Sequence, residues 1–81
     1  MNSIKMYGTT WCGDCIRAKK FLDRNKIKYE YTDVDEEPQY QEYIKKLNNG
    51  NQRVPTIIFG DGSFLVEPTD EELNNKIESL T

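Results

Sequence analysis

The run Val54-Pro55-Thr56-Ile57-Ile58-Phe59 reads as a strand that is apolar on both faces. Such a strand belongs at the centre of a sheet that helices cover on both sides. The rest of the chain supplies them. Ile4-Lys5-Met6-Tyr7 is a short apolar run closed by Gly8, and Ile27, Tyr29 and Tyr31 alternate with Lys28, Glu30 and Thr32 as in a strand with one buried face. Between them Cys15, Ala18 and Leu22 fall at helical spacing and Phe21 widens the stripe. A helical crossover of that length predicts parallel strands with a right-handed connection.

A second helix is predicted with Pro38 in its first turn and Tyr40, Tyr43, Ile44 and Leu47 along one face, ending at Asn48-Asn49-Gly50. After the central strand, Gly60-Asp61-Gly62 leads into Phe64-Leu65-Val66, and Asp-Gly between apolar runs predicts an antiparallel hairpin. Thr69 followed by Glu72 forms a capping box that opens the last helix, with Leu73, Ile77 and Leu80 on one face. The order is therefore β-α-β-α-β-β-α. The alternating strand, polar on one side, belongs at an edge, and the architecture is a three-layer α/β/α sandwich.

With 81 residues, the chain is expected to form one domain over 1–81. Eleven Lys and Arg against fourteen Asp and Glu give a net charge of -3, which argues against nucleic-acid binding by phosphate neutralisation. The charges are segregated: Arg17, Lys19, Lys20, Arg24, Lys26 and Lys28 cluster, whereas residues 30–42 carry only carboxylates. Met1-Asn2-Ser3-Ile4-Lys5 has no apolar export core, and no apolar run is long enough for a membrane span. A cytoplasmic monomer, without nucleic-acid or membrane partners, is the expectation.

The chemistry centres on Cys12-Gly13-Asp14-Cys15, where the first strand hands over to the first helix. The thiolate is the reactive form of cysteine, and the unpaired N–H groups and positive dipole end of a helix N-terminus stabilise it. Cys12, first in the turn, is the expected nucleophile. Cys15, deeper on the buried stripe, is the expected resolving thiol. A zinc site needs four ligands, and two cysteines with no histidine do not supply the usual set, so no metal is expected. A purely structural disulfide across two intervening residues closes too short a loop to stabilise much. CxxC after the first strand of a βαβ unit reads as redox.

Asp14 has two readings, stabilising the first helical turn or tuning the thiolate by like charge. Trp11 suits ordinary packing or the covering of an incoming substrate. Lys19 and Lys20 read as a solvated basic face. Val54-Pro55 is either strand punctuation or a cis peptide that turns the Val54 backbone toward an extended substrate.

With Thr9-Thr10-Trp11-Cys12-Gly13-Asp14-Cys15, Val54-Pro55-Thr56 and Phe59-Gly60-Asp61-Gly62-Ser63 in this order, the chain resembles the glutaredoxin family of the thioredoxin fold over essentially its whole length. Among the branches it is most similar to mycoredoxin-type proteins with a CGDC active site. The resemblance implies a four-stranded mixed sheet in the order 2-1-3-4, Cys12 as nucleophile, Cys15 as resolving thiol and a cis bond before Pro55. It also implies a thiol-disulfide oxidoreductase acting on protein disulfides, or on mixed disulfides between a protein and a small thiol. Trp11, Arg53, Val54, Pro55, Thr69 and Asp70 would hold the substrate.

No bound cofactor is implied. Electrons would come from an external low-molecular-weight thiol or an NADPH-linked flavin reductase. Where glutathione-using members carry Pro-Tyr between the cysteines and a Gly-Gly pair before the last helix, this chain has Gly13-Asp14 and Leu65-Val66-Glu67-Pro68, so the identity of the small thiol stays open. Two alternatives stand beside this reading: a thioredoxin-like electron donor, for example to ribonucleotide reductase, and a non-enzymatic iron-sulfur carrier with a cluster bridged by Cys12 and external thiols.

Overall fold

A computed structural model describes residues 3–80. Met1 and Asn2, the start of the segment read above for an export signal, and Thr81 lie outside the described residues. The elements are β1 (Ile4–Gly8), α1 (Gly13–Arg24), β2 (Glu30–Asp33), α2 (Gln39–Leu47), β3 (Thr56–Phe59), β4 (Phe64–Val66) and α3 (Asp70–Ser79). The strands form one sheet in the order β2-β1-β3-β4, with β1 and β2 parallel and the other two pairings antiparallel. This is the predicted element order and topology. No helix among the described residues is long and apolar enough to cross a membrane.

Strand register explains why two layers of helix are needed. Ile4 pairs with Phe59 and Met6 with Ile57, so these four side chains share one face, while Tyr7, opposite Thr56, points to the other. The first face carries the larger core, where Cys15, Ala18, Phe21 and Leu22 of α1 and Leu73 of α3 meet the strand residues. Met6, Leu22, Ile57 and Leu73 are wholly excluded from solvent, and full burial of a side chain of this kind contributes about 1.5–3 kcal/mol. On the second face Tyr7, Val34 and Ile44 make a smaller cluster under α2. The Tyr7 ring sits 5.4 Å from that of Tyr40 and 5.8 Å from that of Tyr43, so the aromatic side of α2 lies across β1.

Three boundaries differ from the sequence reading. The ladder of β2 begins at Glu30, opposite Lys5, and not at Ile27; Ile27 and Tyr29 precede it but still pack against the larger core, which is the face their alternation predicted. Pro38 is the residue before α2 and not inside its first turn, with φ -60° already helical and Gln39 the first helical residue. β3 starts at Thr56, two residues after Val54, because Pro55 has no N–H to give a ladder and the Thr56 hydroxyl turns back to donate to the Arg53 carbonyl at 2.7 Å.

The hairpin forms as predicted. Gly62 takes φ +89°, a conformation that favours glycine, and its N–H donates to Phe59 O at 3.0 Å. At α3 the capping box is complete: Glu72 N–H donates to Thr69 Oγ1 at 3.1 Å, and Thr69 N–H to Glu72 Oε1 at 2.8 Å.

Four groups hold their protons more tightly in the fold than in the open chain, among them Tyr7, which burial and the neighbouring Tyr43 and Tyr40 raise. Burial, and then the hydrogen bond of its thiol to Cys12, push Cys15 up from 9.0 to about 12. Burial likewise raises Tyr29, with help from its bond to Asp23, and Tyr31, beside Asp33, from 10.0 to about 12. The unfolded chain therefore releases these protons first as pH rises, and the contribution to stability present below the unfolded values is lost as pH climbs through the folded ones.

Two stability measurements test this account. Thr69→Ala removes the cap and is expected to cost about 1 kcal/mol, a fall in Tm of roughly 4–8 °C by thermal melting. Chemical denaturation across pH should show stability level from neutral pH to about 9 and falling from there toward 12, and Cys15→Ala should move the onset toward 10, where the tyrosines take over.

Candidate active site

The first strand ends at Gly8, and the chain must turn over the sheet edge before α1 can pack back on it. A Cβ at Gly8 would stand 2.8 Å from Cys15 Sγ, so the absence of a side chain there lets the first turn of α1 seat directly on β1. Cys15 is thereby buried completely, one turn into the helix. Cys12 is the N-cap of α1, and its half-buried Sγ accepts the Cys15 N–H at 3.2 Å. On its other side Sγ lies 3.7 Å from the Val54 carbonyl oxygen, to which the thiol form donates. Ionisation gives up the second bond and keeps the first, so the helix amide is the thiolate's own partner.

The two sulfurs are unlike in environment. Cys15 faces the core and stays a thiol through the neutral range, because burial raises it, outweighing the favourable N–H of Thr9. Cys12 opens into a groove of about 560 Å³. Trp11, Gly13 and Asp14 form one wall; Gln52, Arg53, Val54 and Glu67 form the other. The Trp11 indole is 71% exposed yet fixed, since its N–H donates to Asp35 at 2.8 Å. Asp14 is exposed, 3.7 Å from Arg17. The Val54-Pro55 bond is cis, and Pro55 is buried behind the lining residue Val54, with its carbonyl accepting the Glu67 N–H at 2.8 Å.

Of the residues picked out from sequence, Trp11, Cys12, Asp14, Arg53 and Val54 thus converge on one groove. Thr69 and Asp70 do not line it. The Thr69 hydroxyl caps α3, and the Asp70 carboxylate accepts from Arg17 at 2.7 Å, facing a separate hollow with Ile16, Lys20 and Phe21. Arg53 is not a free loop cation: its Nε lies 3.0 Å from Glu67.

Sequence reasoning passed over Gln52, Glu67, and Asp35 as the anchor of Trp11. It also read Arg17 only as part of a basic run, whereas its guanidinium bridges Asp70 and the Pro68 carbonyl, each at 2.7 Å. Glu67 had a signal, since it lies in the Leu65-Val66-Glu67-Pro68 stretch that stands in place of the Gly-Gly pair of the glutathione-using members of the resembled family. Asp35 and Arg17 had none, because their partners are distant in the chain.

Likeness to known proteins bears on the family. The glutaredoxin family model matches residues 4–65. The chain is 36% identical over 80 residues to Mycoredoxin 1 of Corynebacterium glutamicum, covering 99% of both sequences. It is 31% identical over 61 residues to a glutaredoxin of Pseudomonas aeruginosa, covering 75% of this chain and 71% of that one. Among solved structures, glutaredoxin (grx-1) from Archaeoglobus fulgidus superposes with a TM-score of 0.80 at 27% identity, over 95% of this chain and 87% of that one. A strand order of 2-1-3-4, a thiol pair at the head of α1 and likeness to these relatives agree, and the chain belongs to the glutaredoxin family of thiol-disulfide oxidoreductases.

Proposed function

We propose that this protein reduces protein disulfides, and mixed disulfides between a protein and a low-molecular-weight thiol, with Cys12 as nucleophile and Cys15 as resolving thiol. One observation carries the reading: Cys12 Sγ caps α1 at the groove floor with the Cys15 N–H 3.2 Å away, while Cys15 is shut inside the core. The Cys12 thiolate attacks one sulfur of the substrate disulfide, forming a mixed disulfide and expelling the other half as a thiolate. Cys15 then gives its proton to a departing thiolate and attacks the Cys12 sulfur. Cys12 and Cys15 are joined, and the substrate leaves as one thiol and one thiolate, which takes its proton from water. Because burial holds its proton on, Cys15 becomes a nucleophile only when such an acceptor is beside it.

Two electrons from a small thiol or a flavin reductase return the pair to the reduced state. Regeneration by such a reductant belongs in a reducing compartment such as the cytoplasm. Trp11, Arg53 and the Val54 backbone line the groove that receives the substrate, with Pro55 beneath Val54. Asp14 sets the charge at its mouth. Thr69 and Asp70 act by fixing the segment that carries Glu67, through the cap and the Arg17 bridge.

Cys12→Ser is expected to lose activity on every disulfide. Cys15→Ser is expected to keep reduction of a small-thiol mixed disulfide and to lose reduction of a protein disulfide, each followed as thiol release. Retention of either activity by Cys12→Ser would overturn the assignment of the nucleophile.

A further inference from the structure

The ionic side chains lining the groove at Cys12 leave it a net negative charge, and Glu67 contributes by occupying the groove's cation. Of its ionic side chains, Asp14 and Glu67 are carboxylates and Arg53 is the cation. Arg53 is already engaged, with its Nε 3.0 Å from Glu67 Oε2. Asp14 is 55% exposed, and the Arg17 guanidinium lies closer to Asp70, at 2.7 Å, than to Asp14, at 3.7 Å. Asp35 adds a further carboxylate at the Trp11 end.

Glu67 is held in place by more than its ion pair. Its φ of +49° is in the left-handed region that a non-glycine residue seldom adopts. The N–H bond to Pro55 O at 2.8 Å and the Arg17 bond to Pro68 O at 2.7 Å fix the backbone on both sides. A substrate carboxylate that reaches Arg53 must therefore compete with a carboxylate already positioned there. An ammonium or guanidinium group beside the disulfide instead finds Glu67 and Asp14 facing it.

Resting on the exchange reaction proposed above, we infer that Glu67 is a specificity-determining residue that selects disulfides with cationic flanks over those with anionic flanks. A peptide disulfide flanked by Lys or Arg fits this groove, and a small thiol recognised through its carboxylates fits it poorly. The residue acts on encounter and orientation and leaves the electron transfer to the two sulfurs.

The test measures second-order rate constants for oxidation of the reduced protein by cystamine, which carries two ammonium groups, and by glutathione disulfide, which is anionic. Glu67→Gln should slow the first and speed the second by about threefold each at low ionic strength, lowering the ratio of the two rates about tenfold. Arg53→Gln should shift the ratio the opposite way, and both shifts should shrink in 0.5 M salt, which screens beyond about 4 Å (a Debye length of about 3 Å at 1 M and 8 Å at 0.15 M). A Glu67→Gln ratio equal to that of the wild type, or a shift indifferent to salt, overturns the selection by Glu67 while leaving the exchange reaction standing. A reduced wild-type protein that reacts with neither disulfide overturns the exchange reading and this inference with it.

Discussion

The close approach of Gly8 to Cys15 sets the geometry of everything around it. Only a residue without a side chain lets the first turn of α1 rest on the end of β1, with the Cys15 sulfur in the space a Cβ would take. Once that contact is made, the direction of α1 is determined, and Cys12 is carried to the rim as the helix cap. One packing contact thus separates two chemically identical thiols into a protected one and a presented one. Burial and hydrogen bonding amplify the difference, since the same core that excludes water from Cys15 also keeps its proton in place.

Arg17 extends this organisation across the sandwich layer. Arg17 lies two residues beyond Cys15, and its guanidinium reaches the Pro68 carbonyl before α3 and the carboxylate of Asp70, the first residue of α3. Charge-assisted bonds in a forked arrangement are directional, so they fix orientation as well as distance. The wall of the groove that carries Glu67 is therefore referenced to the helix that carries Cys12. The ion pair is partly exposed, and its value lies in that alignment more than in bulk stability.

Much of the fold was legible because it rests on short-range rules. The apolar faces of Val54–Phe59 demanded cover on both sides, Asp61-Gly62 made the hairpin, and Thr69 with Glu72 made the cap, each within a few residues of chain. The CxxC spacing placed both cysteines for the same reason. The illegible parts are pairings between distant segments: Trp11 with Asp35, Arg53 with Glu67, Arg17 with Asp70. A charged side chain in a loop has several partners that composition cannot rank, and only convergence of the loops selects one. The misplaced start of β2 has a similar origin, because alternation reports which face a residue packs on and says nothing about where the neighbouring ladder begins.

The two faces of the sheet are unequally packed, and this has a consequence for motion. One side has a buried cluster of nine residues, including Cys15; the other has Tyr7, Val34 and Ile44 under α2. Regions with fewer buried apolar contacts open at lower free energy. The layer under α2 is then the first to breathe, and amides there exchange with solvent while Cys15 on the opposite side stays sealed. The looser packing and the buried thiol are housed on different sides of a single sheet, so thermal loosening reaches Cys15 last.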